Sequence, residues 1–132
     1  MTPEAFEVNR TWLAFRINQR PIQSGDGAHD IFVLQDAGSM FIFGTALAAA
    51  DADGPSEEDV ERLLQRARSH REEWPEELIV PGRASGGSPF ARAAARIGIA
   101  VRAVPEARLS FYIKDVQTSF EEYLSGGAAG DV

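Results

Sequence analysis

Residues 74–104 read WPEELIVPGRASGGSPFARAAARIGIAVRAV, and this stretch decides the fold. Two short apolar runs within it, at residues 77–80 and 99–104, are typical of buried β-strands. A glycine-rich loop and a helix separate the two runs, and the helix is expected to begin after Ser88 and to end at Gly98. Because parallel strands need a crossover of about this length, the stretch predicts a strand, helix, strand unit with a parallel strand pair.

The chain before this unit predicts three strands and a helix. Residues 11–17 alternate with the period of two that is typical of a half-buried strand. Two apolar runs at residues 30–35 and 40–47 are joined by the turn-forming sequence DAGS, which predicts a hairpin. Gly44 in the second run indicates either a bulge or, as the favoured interpretation, a place where a neighbour packs closely. Ser56 then precedes a helix with acidic residues in its first turn and basic residues in its last turns.

The remaining segments complete the predicted order of elements. Residues 18–28 contain several turn formers and predict a surface loop. The apolar spacing near the end favours a helix over residues 110–124, while the β-propensity of residues 109–113 leaves a strand there as the alternative. We therefore expect one α/β or α+β domain with the order βββαβαβα, a mixed sheet and helices flanking it. The predicted extents are 1–132 for the domain, about 11–125 for its ordered core, and 1–10 and 126–132 for its flexible ends.

Composition restricts the class of protein. The chain has 132 residues, 44% of them hydrophobic, which suits a single core. The absence of cysteine excludes disulfides and thiolate metal sites. No apolar run reaches the roughly 20 residues that a membrane span needs, and the N-terminus does not resemble a signal peptide, so we expect a cytoplasmic protein without a membrane partner. Twenty acidic against 13 basic side chains give a net charge of -7, which argues against a nucleic-acid partner.

The order of elements resembles that of the ribonuclease H-like superfamily, and within it the cores of the retroviral integrases and transposases. The residues that carry this likeness are Trp12, Asp36, Gly44, Pro75, residues 78–80, Gly82 and residues 97–99. The resemblance implies a fold in which one carboxylate on the first strand, one at the end of the fourth strand and one on the last helix hold two magnesium ions for phosphoryl chemistry.

The carboxylates that this resemblance implies are incomplete in the sequence. Phe15 or Arg16 stands at the first position and Pro81 at the second, and only the last helix offers acids, Glu121 and Glu122. A carboxylate alone does not assemble a site for a hard cation. We therefore expect a degenerate, non-catalytic member of this fold without metal-dependent nuclease activity and without a cofactor.

The loop at residues 82–88 is the best candidate for binding a small anion, because backbone N–H groups before a helix N-terminus suit a phosphate or carboxylate. The residues of this candidate site are Gly82, Arg83, Gly86, Gly87, Ser88 and Arg92. The loop lacks the Lys and Ser/Thr ending of a P-loop and the spacing of a dinucleotide fingerprint. A plain connection between strand and helix is the favoured interpretation.

Trp12 is the candidate for a contact with a partner. It stands opposite Leu13, Phe15 and Ile17 on the first strand, so it either packs under a helix or lies on an exposed sheet face. The leading hypothesis is a non-catalytic interaction domain that binds a protein partner or a second copy of itself. The alternative is an enzyme or sensor that holds a small anion or nucleotide at residues 82–88.

Overall fold

A mixed β-sheet with helices on both faces forms the described part of the chain. The computed structural model describes residues 1–18, 20–25, 27–82 and 88–122. Its strands are β1 (Thr11–Arg16), β2 (Ile22–Ser24), β3 (Gly27–Asp36), β4 (Ile42–Ala49), β5 (Glu77–Pro81) and β6 (Ala100–Val104). Its α-helices are α1 (Glu57–Arg71), α2 (Pro89–Ile97) and α3 (Ser110–Glu122), and short 3₁₀ helices span Pro3–Ala5 and Glu106–Leu109. The predicted mixed α/β architecture is thus confirmed.

Strand β1 lies in the middle of the sheet, whose order is β2-β3-β1-β5-β6 with β4 also paired to β3. β1 runs antiparallel to β3 and parallel to β5, and β5 runs parallel to β6. The last pair is the one that the stretch at residues 74–104 predicts. Because β1, β5 and β6 are parallel, their carboxyl ends meet at one edge of the sheet.

Two hydrophobic cores lie on the two faces of the sheet. Alternate residues of β1 serve both, since Trp12 and Ala14 belong to the first core and Leu13 and Phe15 to the second. Helices α1 and α2 cover the first core with Val60, Leu63, Leu64, Ala67, Phe90, Ala93 and Ala94. Helix α3 covers the second core with Tyr112, Ile113 and Val116, and Leu109 packs just before it.

The helices begin and end as their sequence signals predict. The Ser56 hydroxyl accepts a hydrogen bond from the Asp59 N–H at 3.1 Å, and the Ser88 hydroxyl accepts one from the Ala91 N–H at 3.1 Å. Gly98 ends α2 with a left-handed φ of 99°. Residues 110–113 are helical, so the helix at this position is confirmed and the alternative of a strand is wrong.

Two segments differ from the sequence-based expectations. The stretch at residues 18–28, predicted as a loop, contains the three-residue strand β2, which pairs antiparallel with the first residues of β3. Because β2 is held by its pairing with β3, its own three residues contain little signal that predicts a strand. In the N-terminal segment, Met1 and Phe6 pack against the second core, and Asn9 is buried with a positive φ of 61°.

The predicted hairpin of β3 and β4 contains both features considered for Gly44. The register shifts from Leu34 opposite Gly44 to Gln35 opposite Ile42, so β4 has one extra residue. A Cβ atom on Gly44 would lie 2.8 Å from Leu63 Cδ1 and 3.4 Å from Arg66 Nη1. The glycine therefore lets α1 lie directly on β4.

The helices in the described ranges are all too short or too polar to span a bilayer.

Candidate functional site

The carboxyl ends of β1 and β5 open into a cleft of about 250 Å³. This is the edge at which open α/β sheets commonly bind their ligands. Its lining side chains include Arg16, Asp30, Asp53, Pro81 and Glu106. The cleft thus combines one cationic side chain with several carboxylates, and it is the position where the resemblance implies a catalytic centre.

Asp30 is the buried carboxylate among the charged side chains of this cleft, because its side chain is 6% exposed. Its Oδ1 accepts a hydrogen bond from Asn18 Nδ2 at 3.0 Å, and its Oδ2 lies 3.6 Å from Arg16 Nη1. Asn18 also accepts a hydrogen bond from the Ile31 N–H at 2.8 Å, which fixes its amide between β1 and β3. The carboxylate of Asp30 therefore has two partners on the chain, and the charge of Arg16 balances it.

Asn18 and Asp30 are not among the site residues that the sequence predicts. The signal available was a polar residue, Asp30, at the start of the apolar run IFVL, where an inward carboxylate needs a partner. The hydrogen bond between Asn18 and Asp30 joins residues 12 positions apart, so its prediction would require the register of β1 against β3.

The side chains at the two strand ends are those expected from the sequence. Arg16 ends β1 and Pro81 ends β5, so neither strand end presents an acid. Glu121 and Glu122 lie in the last turn of α3. Among residues 1–18, 20–25, 27–82 and 88–122, no group of three or more His, Cys, Asp or Glu side chains is arranged to hold a metal ion.

The candidate anion loop is described only at its borders, because Arg83, Gly86 and Gly87 lie outside the described residues. Gly82 has a φ of 104°, and its N–H donates to the Val104 carbonyl at 2.9 Å. Ser88 caps α2, as described above. Gly82 and Ser88, two of the residues predicted to bind an anion, therefore already have hydrogen-bond partners on the chain.

Arg92, the predicted cation of the anion loop, faces α1. Its Nε donates to Glu57 Oε1 at 2.9 Å, and Arg96 lies beside it with Nη2 donating to Glu61 Oε1 at 2.7 Å. The hydrogen bond from Arg92, together with the charge of Arg96, lowers the pKa of the Glu57 carboxyl. These contacts tie α2 to α1 on the surface.

Trp12 is fully buried, which corresponds to the alternative of packing under a helix. Its ring centroid lies 4.9 Å from that of Phe43 and 6.1 Å from that of Trp74, and its Nε1 donates to Asn9 Oδ1 at 2.8 Å. Because the side chain has no accessible surface, the prediction that Trp12 contacts a partner is corrected by the structure.

Three of the six large apolar side chains that are exposed in the described residues lie at one edge of the sheet. Phe41, Ile42 and Leu47 lie on β4 or in the turn before it, and they are 41%, 40% and 59% exposed. Among the strands of the described residues, β4 pairs with β3 alone, so it forms an edge of the sheet. This edge is a second candidate surface, separate from the cleft at the carboxyl ends.

Comparison with solved structures shows a distant structural relationship to a chain of the simian T-cell lymphotropic virus intasome in complex with PP2A regulatory subunit B56 gamma. The TM-score is 0.55 at 15% sequence identity, over 96% of this chain and 43% of that chain. Our chain thus spans less than half the length of that relative, and the likeness concerns the fold alone. The sequence matches no protein-family model and no curated protein.

Proposed function

We propose that this chain is a non-catalytic interaction domain of ribonuclease H-like fold that binds a protein partner in the cytoplasm. The observation that carries the proposal is the pair of side chains at the strand ends. Where the resembling family places carboxylates, this chain has the buried Phe15 or Arg16, whose charge is balanced by Asp30, at the first position and Pro81 at the second. A cation-binding centre needs oxygen ligands at these positions.

The edge of the sheet supports the binding part of the proposal. Ile42 and Leu47 expose apolar surface on the α3 face of β4, and Phe41 exposes apolar surface beside His70 on the α1 face. Exposed apolar surface on an edge strand is commonly used for binding. The charge of -7 favours a protein over a nucleic acid as the partner.

An assay with labelled DNA and RNA in the presence of Mg²⁺ or Mn²⁺ tests the non-catalytic part. We expect no cleavage and no strand transfer, and no salt-sensitive retention of either nucleic acid. Cleavage that Glu121→Ala or Asp30→Asn abolishes would overturn the proposal.

Affinity capture with matched variants tests the binding part. Leu47→Asp is expected to remove proteins that the original chain retains, whereas Phe111→Asp is expected to retain them. Phe111 is 45% exposed on α3 and is thus a comparable apolar residue away from β4. Equal retention by the two variants would show that the edge is not the binding surface.

A further inference from the structure

The two edges of the sheet differ in how they are protected from further strand pairing. β6 carries Arg102 at its centre, and Arg102 Nε donates to Glu77 Oε1 of β5 at 3.1 Å. β4 has the sequence IFGTALAA, eight residues without a charge or a proline. Proteins commonly block exposed edge strands with charge, proline, short length or a β-bulge. The bulge of β4 lies between Ile42 and Gly44, whereas residues 45–49 pair with β3 in regular register. No strand of the described residues pairs with the outer side of this regular part, so we treat it as open to an additional strand.

A groove of about 310 Å³ runs along this edge between β4 and α1. Residues 45–47 of β4 line one side of the groove, and Asp59, Arg62, Leu63 and Arg66 line its α1 side. Ala46 lies opposite Phe32 of the first core, whereas Leu47 lies opposite Ile31 of the second core. Cross-strand neighbours share a face, so Leu47 points away from α1 and towards the α3 face.

The charge along the groove is basic at its Arg66 end. Arg66 forms no ion pair or hydrogen bond with the described residues, and its neighbours one turn away on α1 are Arg62 and His70. Arg62 pairs with Asp59 at 3.0 Å and with Glu58 at 3.3 Å. An incoming carboxylate therefore meets Arg66 first and competes for Arg62 second.

The spacing of these arginines matches that of a strand. Residues four apart on a helix are separated by about 6 Å along the axis, and alternate residues of a strand are separated by about 6.5–7 Å. A strand paired to β4 would thus point every second side chain towards Arg62 and Arg66. Its other side chains would point towards Leu47 and Ile42 on the α3 face.

Resting on the proposed function, we propose that β4 binds an extended protein segment in which acidic residues alternate with apolar ones. The segment adds a strand to the sheet, its acids pair with Arg66 and Arg62, and its apolar side chains cover Leu47 and Ile42. A second copy of the chain is expected to bind this edge less favourably than such a segment does. Antiparallel pairing of two β4 strands brings both α1 helices, with their arginines, to the same face of the joined sheet.

The test uses a synthetic peptide of the length of β4, with glutamate at alternate positions and valine between them. A control peptide has the same composition, with the glutamates grouped at one end. Binding is measured by fluorescence anisotropy at low and high salt, and the binding site is located by amide NMR shifts. We expect the alternating peptide to bind with salt sensitivity and to shift the amides of β4 and α1.

Charge variants decide the role of the arginines. Arg66→Glu is expected to weaken peptide binding about tenfold or more, equal to about 1.4 kcal/mol or more. Arg66→Lys is expected to weaken it much less, and Lys114→Glu, the same change of charge on the exposed surface of α3, is expected to leave it unchanged.

Three results would overturn the inference and leave the non-catalytic assignment standing. These are failure of the alternating peptide to bind, equal binding of the grouped peptide, or a dimer in sedimentation analysis that Leu47→Asp dissociates. Nuclease activity that is lost in Glu121→Ala would instead overturn the proposed function without changing the peptide result.

Discussion

Replacing Asp36 by alanine is expected to lower the free energy of unfolding by about 3–5 kcal/mol. The carboxylate of Asp36 is fully buried at the end of β3. Its Oδ1 accepts the Asn9 N–H at 2.8 Å, and its Oδ2 accepts the Ser39 N–H at 3.0 Å and the Ser39 hydroxyl at 2.6 Å. Arg71 Nη2 lies 3.9 Å from the same oxygen. The substitution therefore leaves several donors without their acceptor at once.

The effect is measured by urea unfolding, followed by the fluorescence of Trp12 and Trp74. Ser39→Ala removes one donor to Asp36 and the acceptor of the Phe41 N–H and of Arg71 Nη2. Because water can replace the hydroxyl at the two exposed groups, the expected cost is only about 1 kcal/mol. Asp36→Asn keeps an oxygen for the Asn9 N–H but turns an amide group towards Ser39, so its loss should fall between the other two. A loss below about 1 kcal/mol in Asp36→Ala would refute the reasoning that this carboxylate joins the N-terminal segment to the hairpin.

Three further substitutions test the packing. Trp12→Ala is expected to cost about 3–5 kcal/mol in urea unfolding, because it leaves a cavity in the first core; a cost near zero would contradict that burial. Tyr112→Phe removes a hydrogen bond of 2.8 Å to the Ala37 carbonyl and is expected to cost about 1 kcal/mol at neutral pH. Burial, with smaller contributions from nearby carboxylates, raises the pKa of Tyr112 from 10.0 to about 12. The folded state therefore keeps a proton that the unfolded state loses in this window, so stability should fall as pH rises from about 10 to 12, and less so in Tyr112→Phe. Gly44→Val is expected to cost about 1–3 kcal/mol by overpacking against Leu63, and an unchanged melting temperature would contradict the close contact.

Local signals explain which elements the sequence predicts well. Ser56 and Ser88 begin helices because their hydroxyls accept hydrogen bonds from the first turn, an interaction within four residues of chain. Gly98 ends α2 because its left-handed φ is unfavourable for other residues. The parallel pairing of β5 and β6 follows from the length of the crossover.

Long-range contacts explain what the sequence leaves out. β2 is three residues long and exists through pairing with β3. Asn9 is buried because Asp36, 27 residues later, accepts its N–H. The burial of Trp12 also depends on tertiary packing, because alternation in β1 separates two faces but does not tell which helix covers each.

The position of Arg66 indicates which kind of partner the β4 edge would bind, because the chain has more acidic than basic side chains. With 20 acidic and 13 basic side chains, most arginines can find a carboxylate on their own chain, as Arg16 does with Asp30 and Arg102 does with Glu77. Those two pairs lie at the carboxyl-end cleft and at the β6 edge, so they neutralise the charge of two surfaces. Arg66 has no such partner among the described residues, and it lies over Gly44 on the uncharged edge strand. A cation beside an edge strand that pairs on one side alone within the described residues matches an acidic extended segment, which would supply both a carboxylate and a further strand.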